Sequence, residues 1–194
     1  MPTDLEVAAQ SRQINVLTVI DTARIKRYYP HPSKDAQKPT AIDHGYQFML
    51  CANSRGPVSG QGTADLHFQA HIGDTVSLTA VSIYDNADDA VIVYGIRHGE
   101  KNRVFNRFTQ NLITRTGAVA PNPDSQNGLP AIQRKSIFSS FDGKIKNSGT
   151  QDFHILFSLY ALADNGEQQD LFGYFRWNPS ITVNGWKQEE SNDA

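Results

Sequence analysis

The sequence predicts an all-β protein, an antiparallel β-sandwich of about nine or ten strands with one short helical turn. Three observations lead there. Short stretches rich in β-branched and aromatic residues recur at 14–20, 46–51, 75–84, 90–96, 153–162 and 171–177. Clusters of Gly, Pro, Asn and Asp cut them apart. No segment sustains a helical period over several turns. Strands at such spacing, with turn chemistry between them, are the signature of a sandwich or barrel, and a jelly roll is one layout that fits.

The chain of 194 residues is read as one domain over 13–186, between a flexible leader (1–12) and a flexible polar tail (187–194). At this length folding buries roughly 70% of the unfolded surface, so the core needs no staples. With 18 basic and 20 acidic residues the net charge is -2, which argues against nucleic acid or anionic lipid as a partner. No run reaches the ~20 apolar residues of a membrane helix. The start is polar, with Asp4 and Glu6, and lacks a secretory pattern, so the cytoplasm is the expected compartment. Cys51 is the only cysteine; it excludes an intrachain disulfide and reads as a small buried hydrophobe.

The elements follow in order. The first strand, 14–20, runs into 21–27, where Thr22 would cap a helical turn that Tyr28-Tyr29-Pro30 ends. Residues 30–45, with Pro30, Pro32 and Pro39, form a long loop, and 117–130 a second one. Connections of that length are either functional or pinned by packing. In 75–84 the apolar phase moves from Val76, Leu78 and Ala80 to Val81 and Ile83, as a bulge or a strand passing between sheets would produce. The stretch from Arg97 to Arg115 is locally basic, with Lys101, Arg103 and Arg107 against Glu100, and reads as a solvated hairpin face. In 153–162 both faces are largely apolar, which predicts a central strand. Asp164-Asn165-Gly166 supplies the turn that joins it to 171–177.

Chemistry-bearing residues are sparse. Asp85-Asn86-Ala87-Asp88-Asp89 offers three carboxylates, but lacks EF-hand spacing; a plain turn outweighs a Ca²⁺ site, and no cofactor is expected. His67 and His71 stand roughly 13 Å apart in an extended chain and cannot clasp one ion. Gly60-Gln61-Gly62 opens like a dinucleotide fingerprint, but Asp65 takes the third glycine position. Asp43-His44 has no nucleophile or second carboxylate beside it, and no catalytic set emerges, so an enzyme is not expected. Trp177 and Trp186, with Tyr174 and Phe175, would suit a sugar-stacking platform, although burial is the default for strand aromatics.

Several blocks are similar to the bacterial inclusion body proteins of the AidA/PixA type. They are Ile14-Asn15-Val16-Leu17-Thr18-Val19-Ile20-Asp21-Thr22, the stretch Tyr28–Lys34 with its Tyr-Pro-x-Pro-Ser-Lys pattern, Ile42-Asp43-His44 with Tyr46-Gln47, and Ser59-Gly60-Gln61-Gly62-Thr63-Ala64-Asp65-Leu66. The others are Asp88-Asp89-Ala90-Val91-Ile92-Val93-Tyr94-Gly95-Ile96, Pro121-Asn122-Pro123 with Gln126-Asn127-Gly128-Leu129-Pro130, and Leu171-Phe172-Gly173-Tyr174 with Trp177-Asn178-Pro179. The resemblance spans about 13–185. It implies a cytoplasmic bacterial protein, in some members crystalline inclusions or quorum-sensing control in host-associated species, and no catalytic set. Two methionines depart from the methionine-rich composition of an inclusion-forming member, so a methionine store is not implied here.

The expected function is therefore non-enzymatic self-association into a homo-oligomer. The alternative is a lectin-like module holding carbohydrate with loop-end groups. Its candidate ligand residues are Asp43, His44, Gln61, Asp88, Asp89, Asn127 and Trp177, with no metal.

Overall fold

The structure, a computed structural model, describes residues 11–99 and 104–185. Lys101, Arg103, Glu100, Trp186, the polar tail and most of the leader lie outside the described residues. The chain folds as β1 (Gln13–Ile20), α1 (Thr22–Tyr28), β2 (Thr40–Ala41), a 3-10 turn (His44–Tyr46), β3 (Gln47–Ala52), β4 (Asp65–Ala70) and β5 (Thr75–Ser82). It continues with β6 (Ala90–His98), β7 (Thr109–Ala120), β8 (Ile132–Lys144), β9 (Gly149–Leu162), β10 (Gln169–Trp177) and β11 (Ser180–Gly185). The all-β sandwich is as expected, with eleven strands among the described residues.

One sheet has the order β3-β1-β5-β8-β7. In the other, β9 is central: β6 lies on one edge, and β10 and β11 follow one another along the opposite edge, in one register from Gly173 onward after a shift at Phe172, with Asn178-Pro179 between them. Outside them lie β2 against β10 and β4 against β11. The pairing departs from a purely antiparallel layout, because β1 runs parallel to β5, β2 to β10 and β4 to β11. Each parallel pair joins strands separated by a long crossover, a choice that local patterning does not encode.

The core fills the space between the sheets. Ile14, Val16 and Ile20 of β1, with Val76 and Leu78 of β5, face Phe153, Ile155, Phe157 and Leu159 of β9 and Phe175 and Trp177 of β10. Phe105, Phe108 and Phe153 close one side, their ring centroids 5.4–5.6 Å apart. Both faces of β9 are covered from Ile155 to Leu159, as its sequence predicts.

Two local expectations need correction, and a third is resolved. The cap of α1 is Asp21, whose carboxylate accepts the Arg24 N–H at 3.0 Å; Thr22 is already helical and buried, and its hydroxyl has no partner. No bulge interrupts β5 in its ladder with β1, which runs unbroken from Thr75 to Ser82. The inward position after Ala80 is the buried Ser82, so the core phase never changes, and Val81 and Ile83 are apolar residues on the outer face. The long 30–45 loop is fastened to the sheet. β2 pairs with Phe175 and Arg176, Lys34 Nζ donates to the Leu171 and Phe172 carbonyls, and the Tyr94 hydroxyl donates to the Ala36 carbonyl. Gly173 makes room for it, since a Cβ there would stand 2.4 Å from Pro32.

Two carboxylates organise the framework. Asp74 is buried and accepts Arg55 Nε at 2.6 Å and Nη2 at 2.8 Å, with the backbone N–H of Arg12 and of His71. It thereby joins the start of β1, the β4–β5 turn and the loop after β3. Burial by itself would raise this carboxyl, but the bonds from Arg55, Arg12 and His71 outweigh it and hold the pKa below the usual value. Asp142 stands where β8 meets both neighbours, accepting Ser77 Oγ from β5 at 2.7 Å, Asn111 Nδ2 from β7 at 3.1 Å and Ser140 Oγ at 2.9 Å.

Asp74→Ala is expected to cost roughly 3–5 kcal/mol in urea unfolding, because it strands a largely buried guanidinium. With its folded pKa depressed, Asp74 contributes in full above its unfolded value near ~3.9, and the contribution fades as pH falls through the folded value. The stability gap between wild type and variant should therefore close in acid, and a gap that is constant across that range would refute the assignment. Asp142→Ala should cost about 1–2 kcal/mol and accelerate native-state amide exchange in β7 and β8 while leaving β9 protected.

Candidate functional site

The cleft described here exists because two neighbouring strands part. β8 pairs with β5 only from Thr75↔Lys144 to Leu78↔Phe141, then continues with β7 alone as far as Ala120↔Ile132. The far end of β5 is held by the other sheet instead. Asn86 Oδ1 accepts the N–H of Ser82 and of Val91, and Ser82 Oγ donates to the Asp89 carbonyl, tying β5 to β6. Asp85 and Asn86 adopt left-handed backbone at φ 53° and 59° to make that turn, which Asp and Asn tolerate better than most residues.

Between the diverging strands opens a cleft of about 650 Å³. Thr79, Ala80 and Val81 of β5 form one wall, Ile92 of β6 the floor, and Leu112 and Ile137 of β7 and β8 the other wall. No residue lining it is ionisable. Its chemistry is therefore apolar contact plus the backbone edge of β5 beyond Leu78, along which no strand is paired among the described residues. Such a site offers apolar contact and backbone pairing, with Thr79 and Ser139 as hydroxyl-bearing residues of its lining.

The surface around it is unusually apolar. Ile137 is 67% exposed, Leu112 61% and Phe138 51%. Across the outer face of the first sheet the register aligns Leu50 with Leu17, and Phe48 with Val19 and Val81, a row that continues to the cleft. The β7–β8 arm beyond the junction is exposed nearly throughout and carries Arg115, Arg134 and Lys135. The turn beside the cleft presents Asp85 and Asp88. A second, more polar cleft of about 540 Å³ adjoins through Gln110 and Phe141, and Tyr94, Arg97 and Arg107 line it. Burial raises the Tyr94 hydroxyl pKa there.

The candidate ligand residues fall into separate places. Asp43 and His44 are exposed at the 3-10 turn, where the Tyr29 hydroxyl donates to the Asp43 carboxylate at 3.2 Å. The same end of the sandwich carries Asp88 and Asp89, linked to α1 by the 2.6 Å ion pair of Lys26 with Asp89. Asp89 is buried and committed to that pair, so the carboxylates of the turn do not converge on solvent. Gln61 lies elsewhere, its amide bonded both ways to the Cys51 backbone. Asn127 sits at the arm tip, about 30 Å of strand from the last β5–β8 pair, and its side chain accepts the Leu129 N–H. Trp177 is wholly buried, with no ring face open to a ligand. Cys51 faces the core and is half-buried, which pushes its thiol up to about 11.

The sequence reading passed over Leu112, Ile137 and Phe138. Their signal is the adjacent apolar pairs Leu112-Ile113 and Ile137-Phe138 within otherwise polar strands, which place one apolar residue on each face.

Comparison with known proteins agrees with the early resemblance. A family model described as PixA, inclusion body protein, matches residues 12–183. The crystal structure of an inclusion body protein (PixA) from Burkholderia cenocepacia J2315 is 33% identical, with a TM-score of 0.77 over 90% of this chain and 97% of that one. A type I cohesin, the seventh of ScaB from Pseudobacteroides cellulosolvens, is 13% identical over 94% of this chain and 99% of its own at a TM-score of 0.23, too slight a likeness to bear on the fold. No curated protein matches. With the family model and the B. cenocepacia structure each covering most of the chain, this protein belongs to the PixA inclusion body protein family.

Proposed function

We propose that this protein is a non-enzymatic assembly protein that associates with copies of itself in the cytoplasm. One observation carries the reading: apolar side chains stand exposed along the arm, the cleft and the outer face of the first sheet. Exposed apolar patches beyond a few hundred Å² mark interaction surfaces on soluble proteins. Ile83, Ile92, Leu112, Ile137, Phe138 and Leu50 alone expose on the order of 500 Å². Family membership points the same way, since relatives are described as inclusion body proteins. Among the described residues no helix is long and apolar enough to cross a membrane. Accumulation in host-associated or population-dense cells under quorum-sensing control belongs to the same proposal, on the strength of the resemblance.

The test is the molar mass by static light scattering across a wide concentration series. A mass that rises from one chain to a defined multiple is expected. A mass of one chain at the highest concentration would refute self-association.

A further inference from the structure

We propose that the opening between β5 and β8 is the self-association surface, and that its occupant is the β7–β8 arm of a second copy of this chain. The inference rests on the self-association reading and names the place where it happens. Each arm would seat in the other copy's cleft about a two-fold axis, so that one patch meets its own image and the assembly closes.

Three features of the molecule match this occupant. The first is edge geometry. Among the described residues, β5 beyond Leu78 has no strand on its outer side, and β8 from Ile132 to Ser140 has a strand partner only on its β7 side. Two facing open edges are unusual, because an unpaired edge invites pairing with another chain and is ordinarily blunted. An incoming strand can add to either one. The second is area. Ile92, Leu112, Ile137 and Phe138, which line the cleft, expose on the order of 400 Å², and with interfaces on average about 57% apolar this corresponds to roughly 700 Å² in all. That is close to the ~800 Å² per partner of a stable complex. The third is charge. The arm carries Arg115, Arg134 and Lys135, and the turn beside the cleft carries Asp85 and Asp88, so an arm from another copy brings cations to an acidic rim. A self-complementary patch needs both signs on one chain, and here both are present.

The arm faces explain the choice of residues. Cross-strand partners share a face, so Leu112 with Ser139 and Thr114 with Ile137 lie on one face of the arm and Ile113 with Phe138 on the other, while Ile137 and Phe138 both border the cleft. Both faces therefore carry apolar residues.

The experiment is sedimentation velocity on the full chain, wild type beside Leu112→Asp with Ile137→Asp. Both positions are more than half exposed, so the charges are compatible with folding; circular dichroism and thermal unfolding of the dilute protein verify this. Wild type should form a dimer or a larger closed species, and the double variant should weaken association at least roughly 30-fold, the effect of losing hot-spot contacts. Arg134→Glu with Lys135→Glu should weaken it as well, and adding Asp85→Lys with Asp88→Lys should restore it. If wild type associates and the Leu112/Ile137 variant associates equally, the surface assigned here is wrong while self-association stands. If wild type stays a monomer, both fall together.

Discussion

Strand β5 belongs to the first sheet, and the shape of the molecule follows from how far β8 accompanies it. Along its full length it pairs with β1, but β8 accompanies it only as far as Leu78. From there the backbone of Ser82 is taken up by Asn86, and through Asn86 and Asp89 by the start of β6. Asn86 engages only the N–H of Ser82, so the edge from Thr79 to Val81 is left open where β8 leaves with β7. The arm, the cleft and the open edges all lie at that parting. Asp142 fixes the point of departure, because its carboxylate is bonded to β5, β7 and β8 together.

Many of the polar residues that would attract attention as a site are spent on the backbone. Asp74 gathers three chain segments, and Asp89 binds Lys26 across to α1. Gln61 closes on Cys51, and Gln151 accepts the N–H of both Val104 and Phe105. Buried or edge polar groups must be satisfied somewhere, and a sandwich with long connections has many loose backbone groups to satisfy. Around the cleft, what remains exposed is largely apolar surface and strand edge.

How far the fold could be read depended on how much each segment's environment is written into its own neighbours. β9 was legible because Phe153, Ile155, Phe157 and Leu159 alternate over a second apolar face, and because Gly166, at φ 71°, ends its hairpin loop. The cap of α1 falls one residue earlier than the sequence suggests, since both Asp21 and Thr22 carry capping side chains and the observed cap is the better-suited Asp21. Ser82 concealed the continuity of β5, because an inward serine breaks an apolar period without breaking a strand. The arm was the least legible part: Leu112-Ile113 and Ile137-Phe138 fit neither a one-sided strand nor a core strand.

By itself the sequence determined the all-β class and the central strand, because these rest on local alternation and turn residues. Tertiary structure alone decided the three parallel pairings, the fastening of the 30–45 loop and the parting of β8 from β5. Those are contests between segments distant in the chain for the same hydrogen-bonding edges, and no residue's near neighbours record which segment wins.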